Sequence, residues 1–208
     1  MSGQLGLPLA FQGQEVGDFI VTPANEDAAK GVSGWADWPD GAALLVAPAK
    51  SGALRLARSV ERESAGAVTL WPDADSAAGE GAPETQLFHA LNRAREGETV
   101  LLLLAESMPG CWPVGLPDLR SRLLALPIFE IGAPDDELVA ELLHLKFTER
   151  GLAVAPDVIE YLQQRAERDY LMLDRLAEEI DRAALEQGRR VTVPLVSPIL
   201  NRNHEGEE

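Results

Sequence analysis

Apolar positions along the chain change their spacing near residue 132, and that change divides the sequence. Between Ala42 and Ile131 three short apolar runs occur, Ala42–Ala47, Ala67–Trp71 and Thr99–Ala105. Uninterrupted runs of this length suit strands buried on both faces of a parallel sheet. The segments between them read as helices over Leu54–Glu63 and Glu84–Arg95, the second with Leu87, Phe88 and Leu91 as its inward stripe. A fourth run, Pro127–Ile131, is a candidate to close the sheet. The pattern predicts an α/β layer architecture.

After Gly132 the spacing is helical throughout. Asp135 and Asp136 stand at a helix start, where negative charge is favourable, and Leu138, Leu142 and Leu145 follow as a stripe. A second helix opens at Pro156 and turns Val158, Ile159 and Leu162 inward. A third runs from about Glu167 to Glu186, with Leu173, Leu176, Ala177, Ile180 and Ala184 on one face, and a short last helix follows Thr192 as its cap. The expected division is a flexible tail over 1–17, an α/β base over 18–131, a helical lid over 132–200 and a disordered tail over 201–208. The Gly- and Ala-rich stretch Asp73–Pro83 reads as a loop.

Composition narrows the function classes. With 46% hydrophobic residues in 208, the chain has enough apolar material for one generous domain or two small ones. Asp and Glu outnumber Lys and Arg 34 to 18, for a net charge of −16, so a nucleic-acid backbone would on average repel it and direct nucleic-acid binding is not expected. The same acidity also serves solubility alone. One cysteine, Cys111, cannot form an internal disulfide, and His89, His144 and His204 have no partners at metal-ligand spacing, so no metal is expected. There is no signal-peptide pattern, and the longest apolar run, Val100–Ala105, is far too short to span a bilayer. The expected location is the cytoplasm, with no membrane partner.

Near the N-terminus, Gln4, Leu5, Leu7, Pro8 and Leu9 form a compact apolar cluster in a Gly- and Gln-rich stretch. A glutamine amide can fix register by donating and accepting hydrogen bonds, Leu7 and Leu9 suit apolar subpockets, and Pro8 limits the entropy lost on ordering. The cluster either docks in a partner's groove or packs on the chain's own base.

Further along, Phe88-His89-Ala90-Leu91-Asn92-Arg93-Ala94-Arg95-Glu96, the strand Val100–Ala105, and Leu116-Pro117-Asp118-Leu119-Arg120-Ser121-Arg122-Leu123 resemble the second half of a DnaA-type AAA+ base. Pro134-Asp135-Asp136, the helix through Lys146-Phe147, and Ile180–Leu185 followed by Arg190-Val191-Thr192-Val193-Pro194 are similar to the Hda branch of that family. The resemblance implies a P-loop AAA+ base with a shortened parallel sheet, followed by a small all-helical lid. The chain ends where a full initiator would continue into its DNA-binding domain, and none is expected here. Gln4-Leu5-Gly6-Leu7-Pro8-Leu9 is similar to the peptide by which such proteins dock on the sliding clamp, the beta subunit of DNA polymerase III.

The resemblance also implies a nucleotide site, and its residues are eroded. A working P-loop needs a glycine-rich turn, a lysine for the outer phosphates and a hydroxyl for magnesium. In the matching run Ala47-Pro48-Ala49-Lys50-Ser51-Gly52-Ala53-Leu54, Ala53 takes the lysine position and Leu54 the hydroxyl position, and Gly52 is retained. Lys50 could reach in from the loop. Pro72 stands where the magnesium-organising aspartate belongs, with Asp73 beside it, and Ala105 stands at the polar position that senses the outer phosphate. Between the first two strands the chain is short for the family, which leaves the sheet order open. By the same resemblance Asp18-Phe19-Ile20-Val21 with Asn25 is the segment that approaches the adenine, and Arg168 is the lid arginine that contacts phosphate in cis, although its neighbours Glu167 and Asp169 also offer it solvated pairing. The expectation is no cofactor, or ADP held weakly.

Arg122, in the Ser-Arg-Leu triplet, matches the arginine finger that enters a neighbour's nucleotide site; read from the sequence alone, a surface ion pair with Asp118 is its commoner fate. The implied function is a clamp-docked regulator of replication initiation that promotes hydrolysis of ATP on the DnaA initiator, with Arg122 acting in trans. A non-catalytic clamp- or initiator-binding protein and an unconventional ADP- or ATP-binding ATPase are the alternatives. Self-association is left open.

Overall fold

The computed structural model describes residues 19–79 and 81–205. The peptide Gln4, Leu5, Leu7, Pro8 and Leu9 lies outside the described residues. After helix α1 (Glu26–Ser33), four strands form a parallel sheet: β1 (Ala42–Val46), β2 (Val68–Trp71), β3 (Val100–Ala105) and β4 (Ile128–Glu130). Their order is β2-β3-β1-β4, with Leu44 opposite Leu103 on one side and Ile128 on the other. The sheet order that the shortened region left open is therefore settled. The connection from β1 through α2 (Ala53–Glu63) passes over the position later filled by β3 and places β2 at the sheet edge.

β1 is buried along its whole length because both faces are covered. Ala43 and Leu45 face α1 and α2, meeting the cluster that holds Val32, Leu56 and Val60. Ala42, Leu44 and Val46 face the other way, into the cluster formed by α4 (Ala82–Arg95) and α5 (Pro117–Ala125) through Leu87, Leu91, Leu119 and Leu123. On α4, Leu87 and Leu91 are buried as expected, whereas Phe88 is only partly covered. The Asp73–Pro83 stretch, expected as a loop, contains one helical turn, α3 (Ala74–Ala77), because Ala74 and Ala78 pack under the sheet.

From Asp136 onward the described elements are helical: α6 (Asp136–Glu149), α7 (Pro156–Gln163), α8 (Tyr170–Gln187) and α9 (Val193–Glu205). The Asp135 carboxylate caps α6 by accepting from the Leu138 amide at 2.8 Å. Its other oxygen accepts from the Ala24 amide at 3.2 Å, so the lid entrance is tied to the strap before α1. The inward stripe of α6 is Leu138, Val139, Leu142 and Leu143, while Leu145 is only partly buried. Asp169 caps α8 through the Met172 amide, which sets its start three residues later than the sequence pattern suggested. The last helix runs to Glu205, so residues 201–205, expected in a disordered tail, are helical; no glycine or proline interrupts the chain between Pro198 and Gly206. Lid side chains such as Phe147, Tyr170 and Leu173 belong to the same core cluster as α1 and α2.

Among the described residues, no helix is long and apolar enough to cross a membrane, and no group of His, Cys, Asp and Glu could hold a metal ion.

Candidate functional site

Two regions hold expected site residues: the cleft between base and lid, and the face around Arg122. The cleft, about 580 Å³, is lined by the turn 47–54, by Phe19 and Ile20, by Pro72 and Asp73, by Ala105 and Glu106, and by the inner side of α6 with Asp174 of α8. Gly52 adopts the left-handed conformation, φ 88°, at the start of α2. A Cβ there would also lie 3.2 Å from the Phe19 ring, so shape and backbone both call for glycine. Lys50 shares the left-handed region at φ 65°.

Three of the expected nucleotide-site residues, Lys50, Gly52 and Asp73, do line this cleft. The other two do not. Asn25 is 2% exposed, and its carboxamide accepts from the Thr22 amide and donates to the Ile20 carbonyl, both at 2.9 Å. It braces the strap that delivers Phe19 and Ile20 rather than facing a ligand itself. Arg168 pairs with Asp136 at 2.7 Å on an exposed part of the lid, outside the cleft lining.

Side chains the sequence reading did not single out complete the cleft. Asp174 accepts from Lys146 Nζ at 2.8 Å and lies 3.1 Å from Lys50 Nζ, with Arg150 at 3.6 Å. Burial alone would push the Asp174 carboxyl up, but hydrogen bonds from Lys146 and Lys50, with their charges, outweigh it and hold it at about 2. Arg55 reaches Glu149 at 2.6 Å. A signal for this cluster existed, since Lys146 follows Leu138 and Leu142 at i+8 and i+4 on the buried stripe, where a cation requires a partner. Past β3, Asp75 accepts from the Glu106 amide at 3.0 Å and the Ser107 hydroxyl at 3.2 Å, which engages the hydroxyl beside Ala105 and leaves the Glu106 carboxylate exposed.

The fold family's working members hold Mg-ATP or Mg-ADP, and the residues here do not fit that group. By the resemblance the lysine and hydroxyl positions carry Ala53 and Leu54, and Lys50 and Arg55 are engaged with lid carboxylates, while Arg58 also lines the cleft. Ser51 Oγ is buried with no partner among the described residues, a place for a small polar ligand such as water, but one neutral hydroxyl does not replace a lysine and a magnesium ligand.

The Arg122 face is organised differently. One side of α4 presents Glu84, Phe88 and Asn92, one turn apart, toward α5. The buried Glu84 carboxylate accepts from the Gly115 and Leu116 amides at 2.7 and 2.9 Å and fixes the start of α5. Arg122 lies over the Phe88 ring at 5.0 Å and donates to Asn92 Oδ1 and to Asp118 Oδ2. A guanidinium carries five N–H donors. Two are engaged in these bonds, so three remain on a side chain that is 25% exposed. Arg120, two residues earlier, turns back to the Val114 carbonyl at 2.9 Å.

Comparisons with known proteins agree with this architecture. Residues 135–200 match the family described as "Hda, lid domain". Domain III of the replication initiation protein DnaA from Thermotoga maritima superposes with a TM-score of 0.71, covering 89% of this chain and 94% of that one, at 13% identity. The lid region therefore matches the Hda lid domain, and the chain as a whole shares the fold of DnaA domain III. AMPPCP-bound DnaA from Aquifex aeolicus gives a TM-score of 0.63 at 17% identity, over 81% of this chain and 64% of that one. At such identities the likeness to DnaA is one of fold. A Haemophilus influenzae protein of uncharacterised function is 33% identical over 130 residues, 62% of this chain and 56% of that one, so the match spans little more than half of that relative.

Proposed function

We propose that this Hda-related chain regulates replication initiation by docking on ATP-bound DnaA and supplying Arg122 to the initiator's nucleotide, so that the chemistry occurs in the partner's site. The observation that carries this reading is the contrast at Arg122. Its guanidinium is held by an aromatic ring, an amide and a carboxylate, yet keeps three N–H donors for an incoming anion. A finger needs a rigid base and a planar cation at the γ-phosphate, where it neutralises charge that develops during phosphoryl transfer. It needs no nucleotide in its own cleft. The N-terminal peptide Gln4–Leu9 supplies the tether to the sliding clamp in this reading, and the cleft holds no nucleotide tightly. The chain has no ATPase activity of its own.

A second reading has an observation in its favour: the pairs with Asp118 and Asn92 also describe an arginine that only braces α5 against α4. The deciding experiment measures hydrolysis of DnaA-bound ATP with clamp loaded on DNA. Stimulation by the wild-type chain, lost in Arg122→Ala and retained in Arg120→Ala, supports the finger. Equal stimulation by Arg122→Ala, or none by the wild type, leaves the non-catalytic interaction protein as the better account.

A further inference from the structure

Two ion pairs cross from base to lid along the cleft: Lys50 to Asp174 at 3.1 Å and Arg55 to Glu149 at 2.6 Å. At the first, one carboxylate gathers three cations from two elements, Lys50 from the turn after β1 and Lys146 and Arg150 from α6. Cations converging on one anion beside a glycine turn are how a nucleotide site holds phosphate. Here the anion is a lid side chain. Because it is tethered, its effective concentration at Lys50 is set by the geometry of the fold and not by solute, so it competes strongly with any free anion.

The neighbouring positions are consistent with a permanent internal occupant. Lys50 projects from a left-handed backbone conformation, which is unfavourable for a non-glycine residue and must be held by its surroundings. Lys146 is buried on α6 and needs a fixed counter-charge. Ala53 and Leu54, in place of a phosphate lysine and a magnesium hydroxyl, leave an external nucleotide little to gain by displacing Asp174.

We propose that Asp174 is the internal substitute for a nucleotide phosphate in this cleft, and that the Lys50–Asp174 pair adds to the shared apolar core in holding the lid closed on the base without nucleotide. The proposal rests on the reading that the cleft has lost its nucleotide ligands. It does not depend on Arg122, and the experiment below does not read DnaA hydrolysis.

The test uses full-length protein with Cys111→Ser, spin-labelled at Arg62→Cys on α2 and Leu185→Cys on α8, two exposed helical positions. Distances between the labels report lid closure. One short-distance peak, unmoved by ADP with magnesium, is expected for the parent. Lys50→Met removes the base half of the contact while leaving the Lys146–Asp174 pair within the lid, so folding is preserved. It should shift the closed-to-open ratio by about two- to fivefold toward open, the range for a partly exposed ion pair. Asp174→Asn should shift it at least as far, and Arg168→Met, outside the cleft, should not shift it. A parent that is open until ADP with magnesium closes it, or a Lys50→Met protein indistinguishable from the parent, overturns the proposal.

Discussion

In the cleft, Lys50, Lys146 and Arg150 converge on Asp174 and Arg55 pairs with Glu149, with Arg58, Asp73 and Glu106 also in the lining. On the α4–α5 face, Arg122 pairs with Asp118 and Asn92 through two of its five N–H groups and lies over the Phe88 ring, with its side chain 25% exposed. Both regions sit on the same rigid sheet, one at the β1–α2 turn and one behind β3. In the cleft the cations from base and lid converge on a carboxylate that the fold itself supplies. On the α4–α5 face the guanidinium is held in one orientation by Phe88, Asn92 and Asp118, so it has already lost the rotamer freedom that binding an anion would cost.

Replacing the Arg122 fork while keeping its charge separates geometry from charge. Arg122→Lys should retain a cation but lose the stacked, planar geometry over Phe88, and stimulation of DnaA-bound ATP hydrolysis should fall by about 10³-fold or more, as for loss of an arginine finger. Single-turnover hydrolysis with loaded clamp measures it. Full stimulation by the lysine variant would mean that only charge matters and that the α4 cradle has no part in presenting it.

The cleft can be challenged by restoring what it lacks. Calorimetry with ADP should show no binding tighter than high micromolar to the wild-type chain. Ala53→Lys combined with Leu54→Thr should tighten ADP by about tenfold or more, if each restored contact is worth around 1 kcal/mol. A sub-micromolar constant in the wild type would return Lys50 to the role of a phosphate ligand and remove the contrast between the two regions. On the tether, Gln4→Ala with Leu7→Ala should weaken clamp binding by about tenfold, measured by surface plasmon resonance. Unchanged affinity would move the docking surface elsewhere.

What the sequence disclosed follows from how local each signal is. The strands were legible because β1 and β3 are covered on both faces and therefore apolar without interruption, and Asp135 announced α6 because capping is a contact between close neighbours. Arg122 was legible as a position in a motif. Its surroundings were partly so, since Glu84, Phe88 and Asn92 recur at one-turn spacing on α4. The cleft was not legible, because the Lys50–Asp174 contact joins residues more than 120 positions apart and neither neighbourhood names the other. Arg168 illustrates the same limit from the opposite side. Its motif position suggested a phosphate ligand, yet packing of the lid directs it to Asp136, away from the turn.

The smallest expected effect concerns the acid limb of stability. The Asp174 carboxyl is held at about 2 in the folded chain, against about 3.9 for an unfolded aspartate. A group whose pKa is lowered by folding stabilises the folded state above its unfolded pKa, and that contribution fades as pH falls through the folded pKa. The interval is therefore pH 4 down to pH 2, with no change expected from this group between pH 5 and 8. In that interval the unfolded chain binds a proton that the folded chain still excludes, because Lys50 from the turn and Lys146 and Arg150 from α6 face the carboxylate. The 34 acidic residues also titrate there, so the difference between two proteins is the quantity to follow, not either curve alone. Urea midpoints of wild type and Asp174→Asn should differ by a constant amount from pH 8 to pH 5, then converge as pH falls from about 4 toward 2. A gap that stays constant to the lowest accessible pH would show that the asparagine variant loses packing, not charge, and that Asp174 is not the ionised partner of the three cations.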